Sequence, residues 1–350
     1  MPHLLVTGGA GFIGTNYVYA EAARAQLPPI VVVDALHYAA GEHNLDPLIA
    51  SGRVKFIKAD ICDRDVMQTI ITREHIDTIV NFAAHTHVDR SIADPTPFVR
   101  NNVAGTCALL QAATAVFVDG KRGGRFHQIS TDEVYGSLDA DALPWDEKEI
   151  LAPSSPYAAS KASAEHFVHA FARTYGLEVT ISRCSNNYGP FQHPEKLLPK
   201  ALACLLQGKR IPLYGDGLQK RDWMYVDDHV RAIDLILEHG TVGETYNLGG
   251  NCECTNREIL HALYEAVAAL FATRPELATR YPHSFITRHL PFAQVLQEVC
   301  DRKGHDRRYS LNCTKAQQEL NFRPQVGLQQ GLAQVVLWYI EHENWRQNLT

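Results

Sequence analysis

The feature that most narrows the fold is an alternation in the first half of the chain, where short β-branched runs take turns with longer helical patterns. Strands are expected at His3–Thr7, Ile30–Ala35, Val54–Asp60, Asp77–Ala84, Arg125–Thr131 and Glu178–Cys184. Several are apolar throughout, as parallel strands covered on both faces are. Helical patterns separate most of them, at Phe12–Gln26, Asp63–Glu74, Pro97–Val118 and Tyr157–Tyr175. Strand, helix, strand repeated in this way predicts a doubly wound parallel α/β sheet. After about residue 185 the pattern changes. Turns such as Asn187-Tyr188-Gly189-Pro190 and Tyr214-Gly215-Asp216-Gly217 interrupt shorter elements. A helix-rich stretch then covers Asn256–Glu298, and a last helix covers Leu328–His342. The expectation is a first unit over 1–185, to which parts of the later chain return. A smaller mixed α/β unit over 186–350 packs on it and closes a cleft.

The opening strand runs into Gly8-x-x-Gly11-x-x-Gly14, and a helix follows at once. Glycines there let the backbone turn tightly and approach a pyrophosphate, whose charge meets the helix N-terminus. Asp34 stands twenty residues after Gly14, at the end of the second strand. Its carboxylate accepts from ribose hydroxyls and repels a 2′-phosphate, which points to NAD rather than NADP in a Rossmann-type unit. Asp60-Ile61 ends the third strand, within reach of an adenine. Phe82-Ala83-Ala84 ends the fourth, where small side chains let a dinucleotide lie close to the sheet edge.

Tyr157-x-x-x-Lys161 opens a helix, and a spacing of four puts both side chains on one face. An ammonium beside a phenol favours the phenolate, which can take a proton from a hydroxyl during hydride transfer. Ser130-Thr131-Asp132-Glu133-Val134-Tyr135-Gly136 adds two carboxyls at the carboxyl end of a central strand, where open α/β sheets bind ligands. Oxidation alone has no use for such a pair. Elimination of water has: one group removes a carbon-bound proton while the other protonates the departing hydroxyl.

Composition excludes several other classes. With 33 basic and 39 acidic residues the net charge is −6, which gives no electrostatic footprint for nucleic acid or an anionic membrane. No export signal is legible at the N-terminus, and no apolar run approaches the ~18 residues of a membrane span. The eight cysteines are scattered, and Cys252-x-Cys254 is too tight for the usual zinc spacing. Free thiols in a reducing cytoplasm and no bound metal are expected.

These residues together resemble the dTDP-glucose 4,6-dehydratases of the extended short-chain dehydrogenase/reductase superfamily, and their UDP-glucose relatives. The matching segments are TGGAGFIG (7–14), DICD (60–63), THVDRSI (86–92), STDEVYG (130–136) and PSSPYAASK (153–161). SNNYGP (185–190), PEKLLP (194–199), YGDG (214–217), RDWMYVDDH (221–229) and GHDRRY (304–309) follow in order. The resemblance implies that NAD stays bound and is recycled. Tyr157 with Lys161 and Thr131 would oxidise C4 of the hexose. Glu133 would remove the C5 proton while Asp132 protonates the leaving C6 hydroxyl, and the hydride would return to C6. Further cofactor contacts are implied for Phe12, Ile13, Asn101 and Asn187, and sugar contacts for Thr86 and Asn186. The nucleotide-diphosphate pocket would draw on Lys196, Leu197, Pro212, Leu213, Tyr214 and Arg221, the last as a charge-assisted fork. Asn256 and the 301–305 segment, with Asp301, Arg302 and His305, would complete it. A homodimer through a four-helix bundle, made of helices Pro97–Val118 and Tyr157–Tyr175, is also implied.

Two departures bear on specificity. His85 stands where the family usually has Glu, and Lys303 where it usually has Pro; the stretch between Arg257 and Val299 looks longer than typical. His85 follows a strand end and is expected to face the crevice where nicotinamide and hexose meet. Three other readings stay open at this point: a nucleotide-sugar 4-epimerase, a 4,6-dehydratase of UDP-glucose or UDP-N-acetylglucosamine, and a non-catalytic NAD-binding sensor.

Overall fold

The computed structural model describes residues 3–24, 28–343 and 345. Strands are numbered in chain order: β1 Leu4–Thr7, β2 Ile30–Asp34, β3 Val54–Lys58, β4 Thr78–Asn81, β5 Arg125–Thr131, β6 Glu178–Cys184, β7 Asn186–Tyr188, β8 Ile211–Tyr214, β9 Lys220–Tyr225, β10 Thr245–Leu248, β11 Glu253–Thr255 and β12 Leu296–Val299. Seven of them form one parallel sheet in the order β3-β2-β1-β4-β5-β6-β10. β1, β2 and β6 are buried along almost their whole length; the apolar or β-branched runs of β1 and β2 serve this, whereas β6 buries Ser182 and Arg183 as well. The order reverses between β1 and β4, so the crevice of a doubly wound sheet opens above the carboxyl ends of those two strands.

Helices cover both faces. Helix Phe12–Ala22 begins on the glycine turn; the residues expected to continue it to Gln26 lie partly outside the described ones. Helix Arg64–Arg73 starts one residue later than expected, because Asp63 caps it by accepting from the Val66 N–H. Helix Pro156–Tyr175 is capped by Ser155 and ends on Gly176 in the left-handed region. The long helix over 96–119 is not uniform: π-helical turns occupy Val99–Gly105 and Ala115–Asp119. By length and composition it is also long and apolar enough to cross a membrane, which corrects the expectation that no segment approaches that limit. Its Leu109, Leu110, Ala112, Ala113 and Phe117 are instead buried in the core beneath the sheet.

After β9 the chain returns to this sheet. Helix Val226–His239 puts Val230 and Ile233 into the core on the face of helix Phe12–Ala22, and β10 adds the seventh strand beside β6. The remaining elements build a second core. β7, β9 and β11 form a small sheet, and β8 pairs with β12 in parallel. Helices Leu197–Gln207, Asn256–Thr273 and Leu328–Glu341 pack around them. The helix-rich stretch over Asn256–Glu298 ends in β12, which closes against β8; a strand there is not legible in its polar Leu-Gln-Glu-Val sequence.

Candidate active site

The turn after β1 is made by backbone geometry. Gly8 has φ +71°, and a Cβ there would lie 2.6 Å from the Ala83 nitrogen. A Cβ on Gly14 would meet the Gly8 carbonyl oxygen at 2.4 Å. Only bare backbone fits at both places, and this brings the start of helix Phe12–Ala22 up to the crevice. Asp34, at the end of β2, accepts from the Ala10 N–H at 3.0 Å and from the Leu36 N–H at 2.8 Å.

One cavity runs along this edge. Gly8, Gly11, Phe12, Ile13 and Gly14 form its floor, and Asp34 flanks them. Asp60, Ile61 and Asn101 line one end; Phe82, Ala83 and Ala84 line the middle. Thr131, Asp132, Glu133, Tyr157 and Lys161 meet there with Thr86, Asn186, Asn187 and Lys196. Every residue expected to touch NAD therefore borders one continuous space, whose floor leaves room for a pyrophosphate over the helix start. That donor set fits a dinucleotide.

At the far end β5 delivers Thr131, Asp132 and Glu133 beside helix Pro156–Tyr175. The Lys161 ammonium donates to the Ile129 carbonyl at 2.6 Å, and burial lowers its pKa to about 8. Burial and the nearby Glu133 push the Tyr157 phenol well above its ordinary value, with the Thr131 hydroxyl pulling the other way. With protein groups alone Tyr157 thus holds its proton, contrary to the simple expectation of a phenolate beside an ammonium. The two carboxyls differ in a useful way. Asp132 is 2% exposed, its Oδ2 has no partner among the described residues, and burial and then Glu133 raise its pKa well above the ordinary value. Glu133 is only half-buried; burial raises it, while Arg302, Arg221 and Lys196 draw it back. Asp132 is thereby the better placed of the two to hold a proton, and Glu133, drawn back by its cations, to act as base.

The nucleotide-diphosphate residues fall on several elements. Lys196 donates to the Thr86 carbonyl at 3.1 Å, joining the two halves of the site. Arg221 is 5% exposed, with its guanidinium 4.2 Å above the Tyr309 ring; it donates to the Lys220 and Asp306 carbonyls. Its fork is therefore held in place by backbone before any ligand arrives. Arg302 approaches Asp89 at 3.9 Å, Tyr214 donates to Asp89 at 3.5 Å, and Asp301 meets His305 at 2.6 Å. Asn256 opens its helix, with its amide 3.4 Å from Gln219. Pro212 and Tyr214 share one face of β8, whereas Leu213 alternates to the other and is buried in the second core. A side-chain role for Leu213 in the pocket is therefore corrected to a packing role. Leu197 likewise packs against that core. Of this set only Lys196 borders the dinucleotide cavity itself.

Several positioning groups carry no sequence signal of their own. Asn102, in the first π-turn, accepts from the His85 N–H at 2.7 Å and donates to the His85 carbonyl at 3.0 Å and to Ser160 Oγ at 2.8 Å. It ties the end of β4 to the helix of Tyr157. Ser130 donates to Glu165, which Arg183 grips through Nε and Nη2 behind the site. His85 lines the cavity, but its ring stacks on His37 at 4.9 Å and lies parallel to Tyr38 at 6.0 Å. Those two follow Asp34, so His85 is tied to the dinucleotide half rather than to the hexose crevice alone. Among the described residues no group of three or more His, Cys, Asp or Glu side chains could hold a metal.

Comparison with known proteins fits this geometry. The family described as GDP-mannose 4,6 dehydratase matches residues 5–335. A dTDP-glucose 4,6-dehydratase of Streptomyces griseus is 44% identical, over 99% of this chain and 97% of that protein. The dTDP-glucose 4,6-dehydratase of Streptomyces venezuelae, solved with NAD bound, superposes with a TM-score of 0.88 at 43% identity, covering 99% of this chain and 100% of the other. A UDP-glucose 4-epimerase of Thermotoga maritima follows at a TM-score of 0.82 and 29% identity, covering 97% and 99%. Fold alone therefore does not separate the two chemistries, whereas full-length identity and the paired carboxyls after β5 do. The chain belongs to the dTDP-glucose 4,6-dehydratases, within the broader family that the GDP-mannose 4,6 dehydratase description covers.

Proposed function

We propose that this protein dehydrates dTDP-glucose to the 4-keto-6-deoxy sugar with NAD retained throughout. The observation that carries the reading is the splitting of Asp132 and Glu133 into acid and base beside Tyr157 and Lys161. An epimerase or a simple dehydrogenase has no use for that pair.

When bound, NAD accepts the C4 hydride, brings a positive charge, and gives the hydride back at C6. Tyr157 takes the C4 hydroxyl proton, helped by that charge, by the Lys161 ammonium and by the Thr131 hydroxyl. The resulting ketone acidifies C5, and Glu133 removes the proton there and returns one to C5 as the hydride enters C6. Asp132, kept protonated by burial, gives its proton to the leaving C6 hydroxyl. Lys196, Arg221 and Arg302, the cations that face Glu133, would hold the diphosphate. The test is product mass: one water lighter than substrate supports the reading, and an unchanged mass favours epimerisation.

The protein is also read as a cytoplasmic homodimer. Helices at 96–119 and Pro156–Tyr175 leave an outward stripe of small and apolar side chains. On one helix these are Val99, Ala104 and Ala108; on the other, Ala159, Ser163, Phe167 and Ala170. Such a face suits a second copy of itself in a four-helix bundle. All eight cysteines are free thiols, which supports a reducing compartment. Sedimentation of Phe167→Glu beside the unaltered protein tests the dimer: the variant should run as a monomer.

A further inference from the structure

The C-terminal helix Leu328–Glu341 belongs to the second core, yet the chain just beyond it reaches back to the glycine turn. Trp345 packs on Trp338 and Phe191, with ring centroids 5.1 and 5.8 Å apart. Phe191 in turn stacks at 5.6 Å on Tyr19, in the helix that starts from the turn. The indole Nε1–H of Trp345 donates to Asn44 Oδ1 at 2.6 Å. Asn44 is 4% exposed and lies in the loop that follows Asp34. With its oxygen taken by the indole, its amide nitrogen points the other way. There it donates to the Ala10 carbonyl at 3.1 Å and to Thr15 Oγ1 at 3.2 Å. Ala10 stands inside the glycine turn, and its N–H is the one held by Asp34 at 3.0 Å.

We propose that Trp345 is a positioning residue for NAD: through Asn44 it holds the glycine turn and Asp34 in the arrangement that retains the dinucleotide. Trp345 does not line the cavity, so the effect is relayed rather than direct. The Asn44 amide is the fixed point of the relay. Gly41 donates its N–H to the same Ala10 carbonyl at 2.9 Å, and a Cβ on Gly41 would lie 2.2 Å from Asn44 Oδ1. The loop is thus closed tightly around one side chain whose orientation the indole sets. Without that donor the buried Oδ1 lacks a partner, and the amide no longer has one preferred direction. The turn then has more conformations to lose on binding, which weakens retention of a cofactor that must stay through every cycle.

Trp345→Phe keeps an aromatic ring but removes the donor together with part of the indole's bulk, so Trp338→Phe serves as the packing control. NAD bound per chain is measured after gel filtration, and its release is followed by exchange with labelled NAD. Loss of one such hydrogen bond should speed release roughly three- to tenfold, and added NAD should restore turnover. Trp338→Phe, which leaves the Trp345 indole in place, should lower the melting temperature without changing release. Gly14→Ala reports on the turn itself and should lose NAD. If Trp345→Phe releases NAD at the unaltered rate while Gly14→Ala loses it, the relay is wrong. Equal acceleration by Trp338→Phe would assign the effect to tail packing and overturn the relay as well. Retention of NAD by Gly14→Ala would remove the dinucleotide from the turn, and this proposal with it.

Discussion

At the dinucleotide end of the cleft the protein offers backbone, glycines and small apolar side chains; at the nucleotide-sugar end it offers charged side chains from separate segments. Gly8, Gly14, Ala83 and Ala84 do their work by leaving space, and two carboxylates, Asp34 and Asp60, border it. Lys196, Arg221 and Arg302 come from three places in the chain, and each is held by carbonyl or carboxylate partners of its own. The difference teaches what each end can tolerate. A site made of backbone fails when any atom is added. A site made of long side chains loses affinity by degrees. The chemistry sits where the two meet, at β5 and helix Pro156–Tyr175.

The largest expected effects fall at that junction. Tyr157→Phe should stop oxidation, and Glu133→Gln should allow oxidation yet block elimination, each costing ~10²–10⁴ in turnover. Absorbance of enzyme-bound NADH should build up in the Glu133 variant and not in the Tyr157 one. Next, Gly8→Ala adds a methyl where φ is +71° and the Ala83 backbone is 2.6 Å away. NAD recovered with the purified protein should drop by about tenfold or more, since strain at the turn acts directly on its fit. Full occupancy in that variant would erase the contrast between the two ends. Arg221→Lys should leave bound NAD unchanged but raise KM for dTDP-glucose, about 1.5–3 kcal/mol of charged hydrogen bonding being at stake. If NAD is lost there as well, the ends are not independent.

A pH profile of kcat sharpens the junction further. Lys161 is charged below its lowered pKa of about 8, so activity that depends on that charge falls as pH rises through this value. Glu133 must be ionised to act as base, and burial raises its pKa, so the acid limb should lie above that of an ordinary glutamate. An alkaline limb well above pH 9 would mean the Lys161 charge is not needed. The smallest effect is expected at His85. Because its ring stacks on His37, toward the dinucleotide half of the cavity, His85→Glu should change the preference between dTDP-glucose and UDP-N-acetylglucosamine by only about twofold. A tenfold change in the kcat/KM ratio would move His85 into the sugar site.

Most of the dinucleotide end was legible in the sequence because its signals are local. The spacing of Gly8, Gly11 and Gly14, the distance on to Asp34, and the runs Arg125–Thr131 and Glu178–Cys184 each arise within one strand–turn–helix unit. The sugar end was less so. Nothing near Arg221 or Arg302 announces that Glu133 lies close by, since tertiary packing brings them together. The alternation that turns Leu213 into the core depends on β8 pairing with β12, and β12 has no strand signature of its own. The π-turn that aims Asn102 at His85 and Ser160 also has no marker in an otherwise ordinary apolar helix. Trp345 reads as a tail residue, yet its 2.6 Å bond to Asn44 and its packing on Phe191 connect it to the site.

The central claim, that one bound NAD takes the hydride from C4 and returns it to C6 after elimination, is tested most directly with dTDP-glucose deuterated at C4. The account predicts a product one water lighter that carries the deuterium at C6, with no net change in NAD. Deuterium recovered in free NADH, or retained at C4 of a product of unchanged mass, would contradict it.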